Sequence, residues 1–131
     1  MAKTLIVDDN RLNRDTLKEL FARHFPSMIV EEASDGKETM EKVGSFQPDL
    51  IIMDLRLPDD SGLELTKKIK IMNSSVKVLI FTGHHYPEYR EMAAQYGADG
   101  FLVKGEASKE ILAMVQSLCS STEDSTIATK Q

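Results

Sequence analysis

Cysteine occurs once, at Cys119, and tryptophan is missing altogether. A single thiol cannot close an internal disulfide, so no cystine framework holds this chain and a reducing compartment is expected. With only four prolines and seven glycines in 131 residues, the composition is that of a soluble globular protein, and disorder is excluded for the bulk of the chain. Long apolar runs are also lacking. The best candidates are broken by charge after about six residues, against the roughly 20 needed to cross a bilayer. No stretch joins a basic start to an apolar run and a cleavage site. A membrane role therefore has no support, and a cytoplasmic location is expected. Positive charge is scarce, with 16 Lys and Arg against 21 Asp and Glu, a net charge of −5 and no basic cluster. Such a chain is poorly suited to grip a phosphate backbone alone, so any DNA binding must come from elsewhere.

Apolar residues make up 41% and charged residues 28%, a globular composition in a length that fits one core. Short apolar runs alternate with stretches of helical period. Strands are expected at Thr4 to Val7, Met28 to Ala33, Leu50 to Met53, Val76 to Phe81 and Gly100 to Val103. LIV, LIIM and VLIF are continuously apolar, as in parallel strands covered on both faces, and should be central. Helical stripes fall at Leu17, Leu20, Phe21 and Phe25, at Leu65, Ile69 and Met72, at Tyr89, Met92, Ala93 and Tyr96, and at Ile111, Val115 and Leu118. Asp35 followed by Glu38 reads as a capping box, and Gly97 as a helix stop. Five βα units with right-handed crossovers imply an α/β, flavodoxin-like, doubly wound parallel sheet of order 2-1-3-4-5. That unit occupies residues 1–119, and SSTEDSTIATKQ, residues 120–131, is expected to be a polar tail or the start of a linker.

In such sheets ligands sit beyond the carboxyl ends of the strands. Those ends carry Asp8 and Asp9, Asp54, Thr82 followed by Gly83, and Lys104. One aspartate there would serve as a helix cap. Five polar strand-end residues on one rim are harder to explain by capping. Three close carboxylates need a counter-charge, and a hard divalent cation such as Mg²⁺ prefers oxygen ligands and shares them with phosphate. Lys104 adds a positive point charge and Thr82 a hydroxyl. No phosphate-binding glycine loop follows the first strand, and no D-x-D follows it either, which speaks against a nucleotide-binding protein, a flavodoxin or an aspartyl-phosphate hydrolase. His84 and His85 lack the companions of a zinc site. The seven methionines and Cys119 read as packing residues.

Taken together, IVDDN, LIIMDLRLPDDSG, VLIFTGH and GADGFLVKG resemble the receiver domain of two-component response regulators, from about Lys3 to Cys119. The resemblance implies a signalling phosphoacceptor rather than an enzyme with a separate substrate. Asp54 would take a phosphoryl group from a phosphohistidine on a sensor histidine kinase or phosphotransfer protein, with Thr82 and Lys104 contacting it. Mg²⁺ would be held by Asp9 directly, Asp8 through water, Asp54 and the backbone carbonyl of Arg56. Arg56 and His84 would flank the attacking water and set the phosphoryl lifetime. Thr82 and Phe101 would move together as a switch, with a homodimer formed on phosphorylation. Where the family commonly has a proline after its lysine, this chain has Gly105, and a trans peptide or a different loop is expected there. A small residue at that place resembles the subgroup fused to a C-terminal helix-turn-helix domain, so transcription is the implied output. The alternative is a stand-alone receiver that docks on a partner protein without DNA binding.

Overall fold

The computed structural model describes the backbone of residues 2–84, 86–105 and 108–130, and their side chains apart from 108 and 121–130. Its elements alternate strictly: β1 (Lys3–Val7), α1 (Arg11–His24), β2 (Ile29–Ala33), α2 (Gly36–Phe46), β3 (Leu50–Met53), α3 (Gly62–Met72), β4 (Lys77–Thr82), α4 (Pro87–Gln95), β5 (Gly100–Val103) and α5 (Ser108–Lys130). All strand pairs are parallel, in the order β2-β1-β3-β4-β5. The expected flavodoxin-like sheet is therefore the observed one, with shifts of one residue at the starts of β1 and β2 and at both ends of β4.

The period-2 alternation of the central strands divides the core between two layers. Ile51, Met53, Val78 and Ile80 face one way, onto Val43 of α2, Leu65 and Ile69 of α3 and Ala93 of α4. Ile6, Ile52 and Leu79 face the other, onto Leu17 and Phe21 of α1 and Ile111 and Val115 of α5, with Cys119 packed at its margin. Two stripe residues depart from expectation. Met72, the last residue of α3, is 62% exposed, and Met92 is 36% exposed on the outer side of α4.

Loop chemistry fixes where each helix begins and stops. Gly97, at φ +100°, completes a Schellman stop: its N–H donates to the Ala94 carbonyl and that of Ala98 to the Ala93 carbonyl. At the start of α2, Asp35 accepts from the Glu38 N–H as a capping box requires. Glu38, however, reaches one residue further back, to the Ser34 N–H and hydroxyl. Gly36 and Lys37 instead donate to the Asp59 carboxylate from the β3–α3 loop, so a residue 22 positions downstream from Lys37 satisfies the remaining first-turn donors. At the other end of the chain, the helix that carries Ile111 and Val115 continues past Cys119 to Lys130, while Gln131 lies outside the described residues.

Candidate functional site

The sheet register assembles the rim. Val7 pairs with Met53 across β1 and β3, and Thr82 with Val103 across β4 and β5, so the next residues are neighbours too. The ladder runs one step further: the Asp54 N–H donates to the Val7 carbonyl, Asp8 to Ala33, and Lys104 to Thr82. Asp8, Asp9, Asp54, Thr82 and Lys104 thus stand together at the carboxyl edge. Asp8, Asp54 and Thr82 are buried, whereas Asp9 is exposed.

Carboxylate oxygens of Asp8, Asp9 and Asp54 lie within 4.8 Å of one another. Like charges so close repel strongly, and the described side chains compensate only two of them. The Lys104 ammonium donates to Asp8 Oδ2 at 2.5 Å and to Asp54 Oδ2 at 3.1 Å. Burial by itself would push that ammonium down. The bond to Asp8 and the attraction of Asp54 and Asp8 outweigh burial and hold it above the ordinary lysine value. It is therefore charged throughout the neutral range. Asp8 also accepts from the Asn10 N–H at 2.8 Å and the Asn13 amide at 3.3 Å. Asp54 Oδ1 accepts from the Leu55 N–H at 2.8 Å. An all-oxygen set with an exposed third carboxylate fits a hard cation, since such ions take carboxylate and carbonyl oxygens and keep water.

Thr82 Oγ1 accepts from the His84 N–H at 3.2 Å, which leaves the hydroxyl proton to donate elsewhere. Beside it, a Cβ on Gly83 would meet open space, so the approach to the rim is clear on that side. Arg56 is exposed in the β3–α3 loop and bridges to Ser61. Phe101 is not on the rim. It pairs with Ile80 two steps down β4–β5, and its ring is buried in the layer of α2, α3 and α4. Among the described residues no peptide bond is cis, so Lys104–Gly105 is trans, with Gly105 at φ +92°. His85 lies outside the described residues, and His24 ends α1 at the far edge of the molecule.

Pattern reading missed the groups that brace this rim. Arg14 Nη1 donates to the Asp8 carbonyl at 2.7 Å and its Nε to Glu32 on β2 at 2.9 Å, while Lys18 takes the other Glu32 oxygen at 2.8 Å. Asn13, which donates to Asp8, is another such brace, and the cap that Asp59 provides for α2 was likewise not anticipated. The available signal was the polar pair Glu31 and Glu32 inside an edge strand, which needs cations on the neighbouring helices.

A family model described as the response regulator receiver domain matches residues 4–116. The chain is 32% identical over 111 residues to the nitrate/nitrite response regulator protein NarL of Escherichia coli (strain K12), covering 85% of this chain and 51% of that protein. It is 34% identical over 111 residues to the transcriptional regulatory protein YdfI of Bacillus subtilis (strain 168), covering 85% of this chain and 52% of YdfI. The chain thus spans about half the length of these curated relatives. Among solved structures, the response regulator protein TrrA of Thermotoga maritima in complex with Mg²⁺-BeF superposes with a TM-score of 0.80 at 30% identity, covering 90% of this chain and 99% of that one. Among the described residues, no helix is long and apolar enough to cross a membrane.

Proposed function

This chain belongs to the response regulator receiver domain family of two-component signalling, and on that premise we propose that Asp54 is its phosphoacceptor. One observation carries the reading: Asp8, Asp9 and Asp54 converge within 4.8 Å, with the Lys104 ammonium on Asp54. An Asp54 oxygen attacks phosphorus in line, the P–N bond of the donor phosphohistidine breaks, and its electron pair stays on the imidazole nitrogen. The product is an acyl phosphate. Lys104 and the Thr82 hydroxyl donate to the phosphoryl oxygens and stabilise their charge, Lys104 already standing at the acceptor. Asp8, Asp9, Asp54 and the Arg56 carbonyl would hold Mg²⁺, which when bound supplies a counter-charge shared between these oxygens and the phosphoryl group. Return of the carboxylate is hydrolysis by water, with Arg56 and His84 beside its path. TrrA, solved with Mg²⁺-BeF, supports the cation reading.

The donor would be a sensor histidine kinase or phosphotransfer protein, and the phosphorylated form would pair with a second copy. Kinship with YdfI, named a transcriptional regulatory protein, supports transcription as output, through a DNA-binding domain joined beyond residues 1–119. Incubation with a small acyl or amido phosphate and Mg²⁺, followed by intact-mass analysis, tests the acceptor. One phosphoryl adduct is expected, lost in Asp54→Asn. An adduct that persists in that variant, or none in the wild type, overturns the assignment.

A further inference from the structure

Asp9 has the weakest anchorage of the three rim carboxylates. Asp8 and Asp54 are buried and bonded, whereas Asp9 is exposed, so its aim depends on the backbone that carries it. The peptide entering Asp9 begins at the Asp8 carbonyl, and that oxygen accepts Arg14 Nη1 at 2.7 Å. Arg14 itself is held. Its side chain is only 15% exposed, its Nε donates to Glu32 Oε1 at 2.9 Å, and Lys18 steadies the same carboxylate through Oε2 at 2.8 Å. A guanidinium offers several donors at fixed angles in one plane, so a single side chain can span β2 and the β1 terminus without loose joints.

We propose that Arg14, braced by Glu32, is a positioning residue that holds the Asp8–Asp9 peptide so that the Asp9 carboxylate faces the cation shared with Asp8 and Asp54. This rests on the reading of those three residues as a cation site. Arg14 touches neither the acceptor nor the cation. It acts through the backbone of its ligand, as the outer partners of metal sites orient the groups that bind the ion.

Charge and geometry give opposite expectations here. A cation near the site repels a divalent ion, so if Arg14 acted by charge, Arg14→Ala would bind Mg²⁺ more tightly and Arg14→Lys would match the wild type. If it orients Asp9, both variants bind more weakly, because an amine cannot reach the Asp8 carbonyl and Glu32 in the same fixed fork. Calorimetric titration with MgCl₂ at neutral pH, with thermal unfolding in EDTA run on the same samples, separates these roles. The expected result is a Kd raised roughly tenfold in both variants, the size typical of such outer partners. Tighter binding in Arg14→Ala, or a wild-type Kd in either folded variant with only the melting temperature lowered, overturns the proposal. Should Arg14→Ala fail to fold, Arg14→Lys decides alone. A wild type that binds no Mg²⁺ overturns the cation site itself, and the positioning role with it. A wild type that binds, with Asp9→Ala binding weakly, leaves any failure to Arg14.

Discussion

A Cβ on Gly62 would stand 2.0 Å from the backbone carbonyl oxygen of Asp54 and 3.0 Å from the Leu55 Cα. The first turn of α3 therefore lies directly on the backbone of Asp54, the proposed acceptor, tied by the Gly62 N–H to the Leu55 carbonyl at 2.7 Å. Only glycine allows that approach, because the colliding atoms are backbone and cannot swing away. Gly62→Ala is expected to cost about 3 kcal/mol, the upper part of the overpacking range, measured by urea unfolding. Because relief requires moving Asp54, phosphorylation by a small acyl phosphate should slow as well. A variant with wild-type stability and rate would show that the two backbones are not in obligatory contact.

Removing Lys104 should be felt first by the cation-free protein. Its side chain is 21% exposed, and its ammonium sits between two carboxylate side chains that are 4% and 10% exposed. Deleting one partner of a fully buried pair costs about 3–5 kcal/mol, and partial solvent access reduces the figure here to roughly 2 kcal/mol. Lys104→Met is therefore expected to unfold at lower urea in EDTA. Mg²⁺ held at the proposed site would bind only the folded state, so adding it should recover part of the loss. Equal destabilisation with and without Mg²⁺ would mean that the lysine acts by packing rather than by charge.

What could be read from the residues, and what could not, divides along the range of the interactions. LIIM and VLIF mark central strands because burial on both faces leaves no position for a polar side chain, and Asp54 stands out by following such a run directly. β2 (Ile29–Ala33) is harder to read: half-exposed at the sheet edge, it tolerates Glu31 and Glu32, whose partners Lys42, Arg14 and Lys18 lie on two different helices. Which acid meets which base across a fold is decided by crossover geometry, and periodicity carries none of it. Asp59 shows the same limit. LPDDSG announces a turn, yet nothing local says that its first aspartate caps another helix. At the chain end, SSTEDSTIATK, residues 120–130, lacks an apolar stripe, but helix propagation needs only tolerable propensities once α5 is nucleated.

Acid should erase one stabilising contact in a defined window. The Lys18 bond to Glu32 is the main reason its carboxyl lies below the usual glutamate value, burial opposes it, and the Arg14 bond adds to the lowering. A carboxylate depressed in the fold stabilises above its unfolded pKa, and the benefit disappears as pH falls through the folded value. The stability difference between wild type and Glu32→Gln should therefore be present at pH 7 and vanish well below about pH 4.3. With Glu32 31% exposed, a difference of about 0.5–1 kcal/mol is expected. A difference that stays constant into acid would show that charge on Glu32 contributes nothing.

The proposed switch requires that the rim be coupled to the buried Phe101. Thr82 is fully buried and two residues past Ile80, the strand partner of Phe101, so by strand alternation Thr82 and the phenyl ring share one face of the sheet. The ring is 7% exposed and capped by Arg90 of α4, whose guanidinium lies 4.8 Å from the ring centroid and whose Nη1 donates to the Phe101 carbonyl at 3.3 Å. A phosphoryl group on Asp54 would draw the Thr82 hydroxyl toward it and change the space available beneath the ring and its cap. Phe101 has no hydroxyl to bond, so packing and the Arg90 contact set its preference, the latter worth about 0.5–1 kcal/mol. A differential near 1.4 kcal/mol between two arrangements shifts their ratio tenfold, so phosphorylation should move both the Phe101 ring and the Arg90 side-chain NMR signals in the wild type. Thr82→Ala keeps the carboxylate and the lysine and is expected to accept phosphate on Asp54. In that variant the Phe101 and Arg90 signals should stay where they were, because the group that transmits the change has been removed. A full wild-type shift in phosphorylated Thr82→Ala would mean that the message reaches α4 by another route, with Phe101 serving only as core.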